Sequence, residues 1–173
     1  MSRRETAHIR VAYLVALLAI LFVPAGSLSA AENDPNQRLP RFVSLRSDLV
    51  NLRVGPGENY PIEWVLTRKE MPVEIVREFE HWRMIRDWQG TEGWVHQSML
   101  SARRMVVITQ GRKTLKAEPD DKAAALAELD TNVVARLLTC PRDKNFCKVE
   151  VQNFQGWLRR DEFWGVYPGE YIE

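Results

Sequence analysis

Apolar and polar residues alternate at a period of two through most of the chain beyond residue 40, the mark of strands with one buried face. Val50, Leu52 and Val54 alternate with Asn51 and Arg53. Trp82, Met84 and Trp88 fall on one face of a run whose other face carries Arg83, Ile85 and Asp87, and Cys147, Val149 and Val151 alternate with Phe146, Lys148 and Glu150. Turn formers bound these runs: Gly55-Pro56-Gly57, Gln89-Gly90, Pro119-Asp120-Asp121 and Asn153 to Gly156. Short strands with regular turn signals predict an all-β barrel or sandwich.

The pattern repeats. At an offset of 63 residues, Arg41-Phe42-Val43 falls on Arg104-Met105-Val106, Leu52-Arg53 on Leu115-Lys116, Pro56 on Pro119, Gly93-Trp94-Val95 on Gly156-Trp157-Leu158, and Leu100 on Phe163. The middle drifts by one residue, matching Val73 to Val76 with Ala135 to Leu138. Two units of about 60 residues are predicted, 41–102 and 103–165, followed by a C-terminal tail, 166–173. Units this small bury only about 60% of the surface their unfolded chains expose, so the two are expected to pack together and share apolar surface. Lys122 to Leu129 (KAAALAEL) has strong helix propensity, yet the repeat sets it against Asn59 to Leu66, and irregular structure or strand is expected there.

The first 31 residues differ in kind. Arg3, Arg4 and Arg10 precede the apolar run Val11 to Val23, and small residues follow from Pro24 to Ala31. This order predicts a signal peptide cut before Glu32 or after Ala30; the apolar run is short against the ~20 residues of a membrane-crossing helix, the rival reading. Residues 32–40 read as a disordered lead-in. Three of the 24 basic and one of the 23 acidic residues lie within 1–31, leaving a mature net charge of −1. So balanced a chain lacks the cationic field that nucleic acid requires, and no stable membrane insertion is expected after cleavage. In an exported protein, Cys140 and Cys147 are expected to form a disulfide across a hairpin, with two buried thiols as the alternative.

The motifs Val50-Asn51-Leu52-Arg53-Val54-Gly55-Pro56-Gly57 and Gly90-Thr91-Glu92-Gly93-Trp94-Val95 resemble the bacterial SH3-like domain family, whose signature runs "LNVRSGPS" and then "GxxGWV". The second unit resembles it less: Leu115-Lys116, Pro119 and Gly156-Trp157-Leu158 persist, but Glu118 and Asp120 replace the glycines beside the proline. The resemblance implies two tandem small SH3-like antiparallel β-barrels, packed closely together. It also implies a cell-envelope protein, periplasmic or secreted. Such barrels often accompany a peptidoglycan hydrolase domain, for which the two units leave no length.

Candidate chemistry is sparse. Tyr60, Trp64, Trp82 and Trp88 are the candidate ligand-binding residues: an SH3 groove is lined by aromatic side chains, and the resemblance puts Tyr60 in the first long loop and Trp82 at a strand start. Nothing in the second unit matches Tyr60 or Trp88, and Cys147 is set against Trp82, so a groove is expected in the first unit alone. The competing reading makes these rings core and interface filling. Gly93, Trp94, Gly156 and Trp157 are expected to be architectural, each Trp plugging a barrel beside a glycine that admits a close neighbour. His81 and His96 read as loop or surface residues. Neither a catalytic set nor a metal site is visible, and no cofactor is expected. The function expected is a non-enzymatic binding or structural module recognising peptidoglycan; the alternative is an adaptor for extended peptides of envelope proteins.

Overall fold

The computed structural model describes residues 38–173. The predicted signal peptide, 1–31, and lead-in residues 32–37 lie outside the described residues. The fold is all-β, with short 3-10 turns at Gln97–Met99 and Arg160–Glu162. One antiparallel sheet holds β1 (Arg41–Leu45), β2 (Val50–Arg53), β3 (Ile62–Leu66), β4 (Pro72–Phe79), β5 (Trp82–Arg86), β6 (Glu92–His96) and β7 (Leu100–Ser101), in the order β3-β2-β6-β5-β4-β1-β7. A second holds β8 (Met105–Val107), β9 (Lys113–Lys116), β10 (Ala125–Leu129), β11 (Val134–Thr139), β12 (Phe146–Val151) and β13 (Phe154–Arg159), in the order β10-β9-β13-β12-β11-β8.

Each sheet packs around its own apolar core. Val43, Leu45, Val50, Leu52, Val73, Ile75, Ile85, Val95 and Leu100 make the first. The second is built around Val106, Ile108, Leu115, Leu137, Val149, Leu158 and the two cysteines. Registers recur between them. Ile75 and Gly93 flank Ile85 in the first sheet, as Leu137 and Gly156 flank Val149 in the second. In the segment Lys122 to Leu129, Ala125–Leu129 is strand, paired with β9. Its backbone hydrogen bonds go to a neighbouring strand, and that tertiary pairing outweighs the helix propensity of its alanines.

Cys140 and Cys147 form a disulfide across the β11–β12 connection, with Cα atoms 4.3 Å apart. The last eight residues fold back beside it. Cys140 and Ile172 exchange backbone hydrogen bonds of 2.8 and 3.2 Å, and Val166 and Ile172 pack on the second core.

The sheets meet through residues that belong to neither core. Phe42 is buried edge-on against Trp164, with ring centroids 4.8 Å apart, and lies 4.6 Å from the Tyr167 ring. The Tyr167 hydroxyl donates to Glu74 Oε1 at 2.7 Å, and Arg86 lies 3.4 Å from the other Glu74 oxygen. The Arg104 guanidinium sits 5.7 Å from the Phe42 ring centre and bonds Glu170 at 2.6 Å. An aromatic contact ringed by paired charges therefore joins the two sheets.

Candidate functional site

Strand alternation decides which side chains of the first sheet face outward. In β5 and β6, Ile85, Gly93 and Val95 are buried, so Trp82, Met84, Trp94 and His96 occupy the opposite face. Register places them together: Trp82 opposite His96, Met84 opposite Trp94, and Trp94 opposite Arg53 of β2. Trp82 and His96 meet edge to face at 5.6 Å. Phe79, opposite Trp82 across the two-residue turn Glu80-His81, is 51% exposed and extends the same surface. Tyr60 borders it, because Arg53 Nη1 donates to the Tyr60 carbonyl at 2.7 Å.

Local bonding fixes the rim. The His96 ring caps the 3-10 turn, accepting from the Ser98 backbone N–H at 3.3 Å. Arg83 Nη2 donates to Gln97 Oε1 at 2.7 Å, and Arg83 Nε pairs with Glu78 at 2.9 Å. Gln97 Nε2 lies 3.2 Å from His81 Nδ1. The Tyr60 ring lies against Gly55 and Gly57, where a Cβ on Gly55 would stand 2.3 Å from a ring carbon.

The sequence-predicted aromatic residues separate in space. Tyr60 and Trp82 border the outward face. Trp88 does not share it. The strand ends at Arg86, and the Asp87 carboxylate turns the chain by accepting from the Gln89 and Thr91 N–H groups at 2.9 and 2.8 Å. Trp88 instead lines a cavity of about 150 Å³ with Leu45, Leu66 and Met71. Trp64 stands on the open edge of the sheet, 57% exposed.

Trp94 and Trp157 do not plug the cores. Both are half-buried on the outward faces, while Gly93, Val95, Gly156 and Leu158 point inward. The glycines do admit close neighbours: a Cβ would lie 2.4 Å from Leu52 Cγ at Gly93 and 2.6 Å from Leu115 Cγ at Gly156. The pairing of Trp82 with Cys147 in the repeat also needs correcting. Trp82 lies three residues before Ile85, opposite Gly93, and Phe146 lies three before Val149, opposite Gly156, so Phe146 holds the Trp82 position. Around Trp157 the outward neighbours are Lys116 and Lys148, making that face cationic. Phe79 was legible in sequence, since a two-residue turn sets the residues before and after it opposite one another.

The chemistry this surface offers is stacking and hydrogen bonding. Among the described residues no group of three His, Cys, Asp or Glu side chains is placed to hold a metal ion, and no helix is long and apolar enough to cross a membrane. Both cysteines are oxidised together.

Residues 46–102, which include this whole surface, match the family model described as bacterial SH3 domain. No curated protein matches the chain. Similar solved structures include NlpC2 and NlpC1 from Trichomonas vaginalis, each 14% identical, with TM-scores of 0.33 and 0.32. These alignments cover 72% and 73% of this chain but 48% and 46% of those chains. An NlpC/P60 family protein from Bacillus cereus is 15% identical over 71% of this chain and 55% of that one, with a TM-score of 0.32. The chain thus spans about half the length of the solved proteins it resembles.

Proposed function

We propose that this chain is an exported, non-enzymatic module of the bacterial cell envelope, periplasmic or secreted, that binds peptidoglycan. In this reading two tandem SH3-like barrels follow a cleaved signal peptide, and the first barrel carries the ligand. The observation that supports it most is the outward face of the first sheet, where Phe79, Trp82, Trp94 and Met84 stand together with Arg53 and His96 at hand. Flat aromatic rings cover the apolar faces of sugars or peptide side chains, and the adjacent polar groups fix orientation. Such a surface suits a polymer that offers alternating apolar and hydrogen-bonding groups.

A second reading keeps the location and replaces the wall by an extended peptide of an envelope protein. Purified wall sacculi separate the two. Retention of the exported protein on sacculi, weakened by Trp82→Ala, supports wall recognition. A protein that stays in solution, with Trp82→Ala behaving identically, removes it.

A further inference from the structure

One edge of the first sheet is open. Among the described residues β3 ends the strand order and pairs only with β2. It presents Ile62, Trp64 and Val65, which are 47%, 57% and 49% exposed, and one charge, Glu63. Unpaired backbone groups flanked by apolar side chains are a template for another strand.

The charges around β3 bear on which strand that is. Glu58 lies in the turn before it and Glu63 is its second residue, Arg68 and Lys69 lie just past its end, and all four are exposed. Among the described residues none of them has an ion-pair partner. The open edge of the second sheet, β10, differs. Asp121 pairs with Arg159 at 3.2 Å, Asp130 with Arg112 at 2.7 Å, and Glu128 accepts from Thr114 at 2.9 Å. Asp121, Glu128 and Asp130 beside β10 are thus engaged within the chain, whereas the four charges flanking β3 make no ion pair among the described residues.

We propose that β3 is a self-association edge, on which a second copy of this chain pairs antiparallel through its own β3. A two-fold axis near Trp64 then brings Glu58, ahead of each strand, toward Arg68 and Lys69 past the end of the other, while Glu63 faces Val65. Parallel pairing would instead place like charges together, so the charge order selects the antiparallel form. The arrangement is isologous and closed, as a two-fold dimer requires. It engages the free edge of β3 and covers Ile62, Trp64 and Val65, leaving the Trp82–Trp94 face open. It goes beyond the wall-binding reading and does not depend on it.

Sedimentation equilibrium on the protein as its host processes it tests this. A monomer–dimer equilibrium is expected. Arg68→Glu/Lys69→Glu and Glu58→Lys/Glu63→Lys should each weaken it about tenfold or more by setting like charges together. Mixed in equal amounts, the two variants should recover pairing as a heterodimer, which damaged folds would not do. A monomer at every concentration overturns the proposal, including a monomer whose β3 takes up a peptide of another protein. So does a dimer that both variants leave unchanged. A monomer that still binds sacculi removes this proposal alone.

Discussion

Leu52 fills the space that a side chain on Gly93 would need: a Cβ there would stand 2.4 Å from Leu52 Cγ and 3.0 Å from both of its methyl carbons. The same contact exists between Gly156 and Leu115, with one difference. At Gly156 the Lys116 backbone oxygen is also 2.7 Å away. A side chain can move aside, whereas a strand carbonyl held in a sheet cannot move without breaking its pairing.

Gly93→Ala and Gly156→Ala should therefore each destabilise the protein by about 1–3 kcal/mol, as overpacked cores do. Rescue should differ. Leu52→Ala in the Gly93→Ala background relieves the clash and is expected to cost less than the two changes do separately. Leu115→Ala should not repair Gly156→Ala, because the carbonyl contact remains. Urea denaturation of the singles and doubles checks this.

Tyr167 gives the sheet contact a pH dependence. Burial, and then the Glu74 carboxylate that takes its hydrogen bond, hold the phenol well above its ordinary value of 10.0. The folded protein keeps this proton where the unfolded chain releases it. The stability tied to it is whole below about pH 10 and falls as pH rises toward the folded-state ionisation. Tyr167→Phe should flatten that alkaline decline and cost about 1 kcal/mol at neutral pH, leaving the largely buried Glu74 with Arg86 as its charge partner. Denaturation midpoints measured across alkaline pH for both proteins test the sign.

The disulfide closes a short loop, with a sequence separation of 7. Its loss through Cys140→Ser/Cys147→Ser should destabilise the fold by about 2–3 kcal/mol in the chain-entropy treatment. Cys140 also holds Ile172, so the amide of Ile172 should exchange with solvent faster in the variant. Hydrogen exchange at that residue, compared with Val95 in the other core, makes the loss local or global.

Export predicts a definite covalent product. Mass spectrometry of the protein recovered from outside the cytoplasm should find Glu32, or Ala31 for a cut after Ala30, at the N-terminus and a mass two hydrogens below the fully reduced chain. A chain recovered with Met1 and the Val11 to Val23 segment intact contradicts the signal-peptide assignment.

The strands were legible because their signal is local: alternation at Val50 to Val54 and Cys147 to Val151, punctuated by glycine and proline, needs no partner to be read. The fate of Ala125 to Leu129 was legible only through the repeat, since its composition alone favours helix. Facing was harder. A Gly-Trp-Val triplet does not say which residue points inward, and Trp94 turns outward because Leu52 takes the place beside Gly93. Trp88 followed the alternation of Trp82 and Met84 in sequence, yet the Asp87 carboxylate ends that strand first. The Phe42–Trp164–Tyr167 contact joins residues more than a hundred positions apart and carries no local pattern.

Binding to purified sacculi, measured by co-sedimentation over a range of protein concentrations, tests the envelope-binding role most directly. Trp82→Ala and Trp94→Ala should each weaken binding about tenfold or more, as removal of a central aromatic contact does, while Trp157→Ala on the cationic face of the second sheet should leave it unchanged. Wild-type protein that remains in the supernatant, or Trp82 and Trp94 variants that bind as the wild type does, would contradict it.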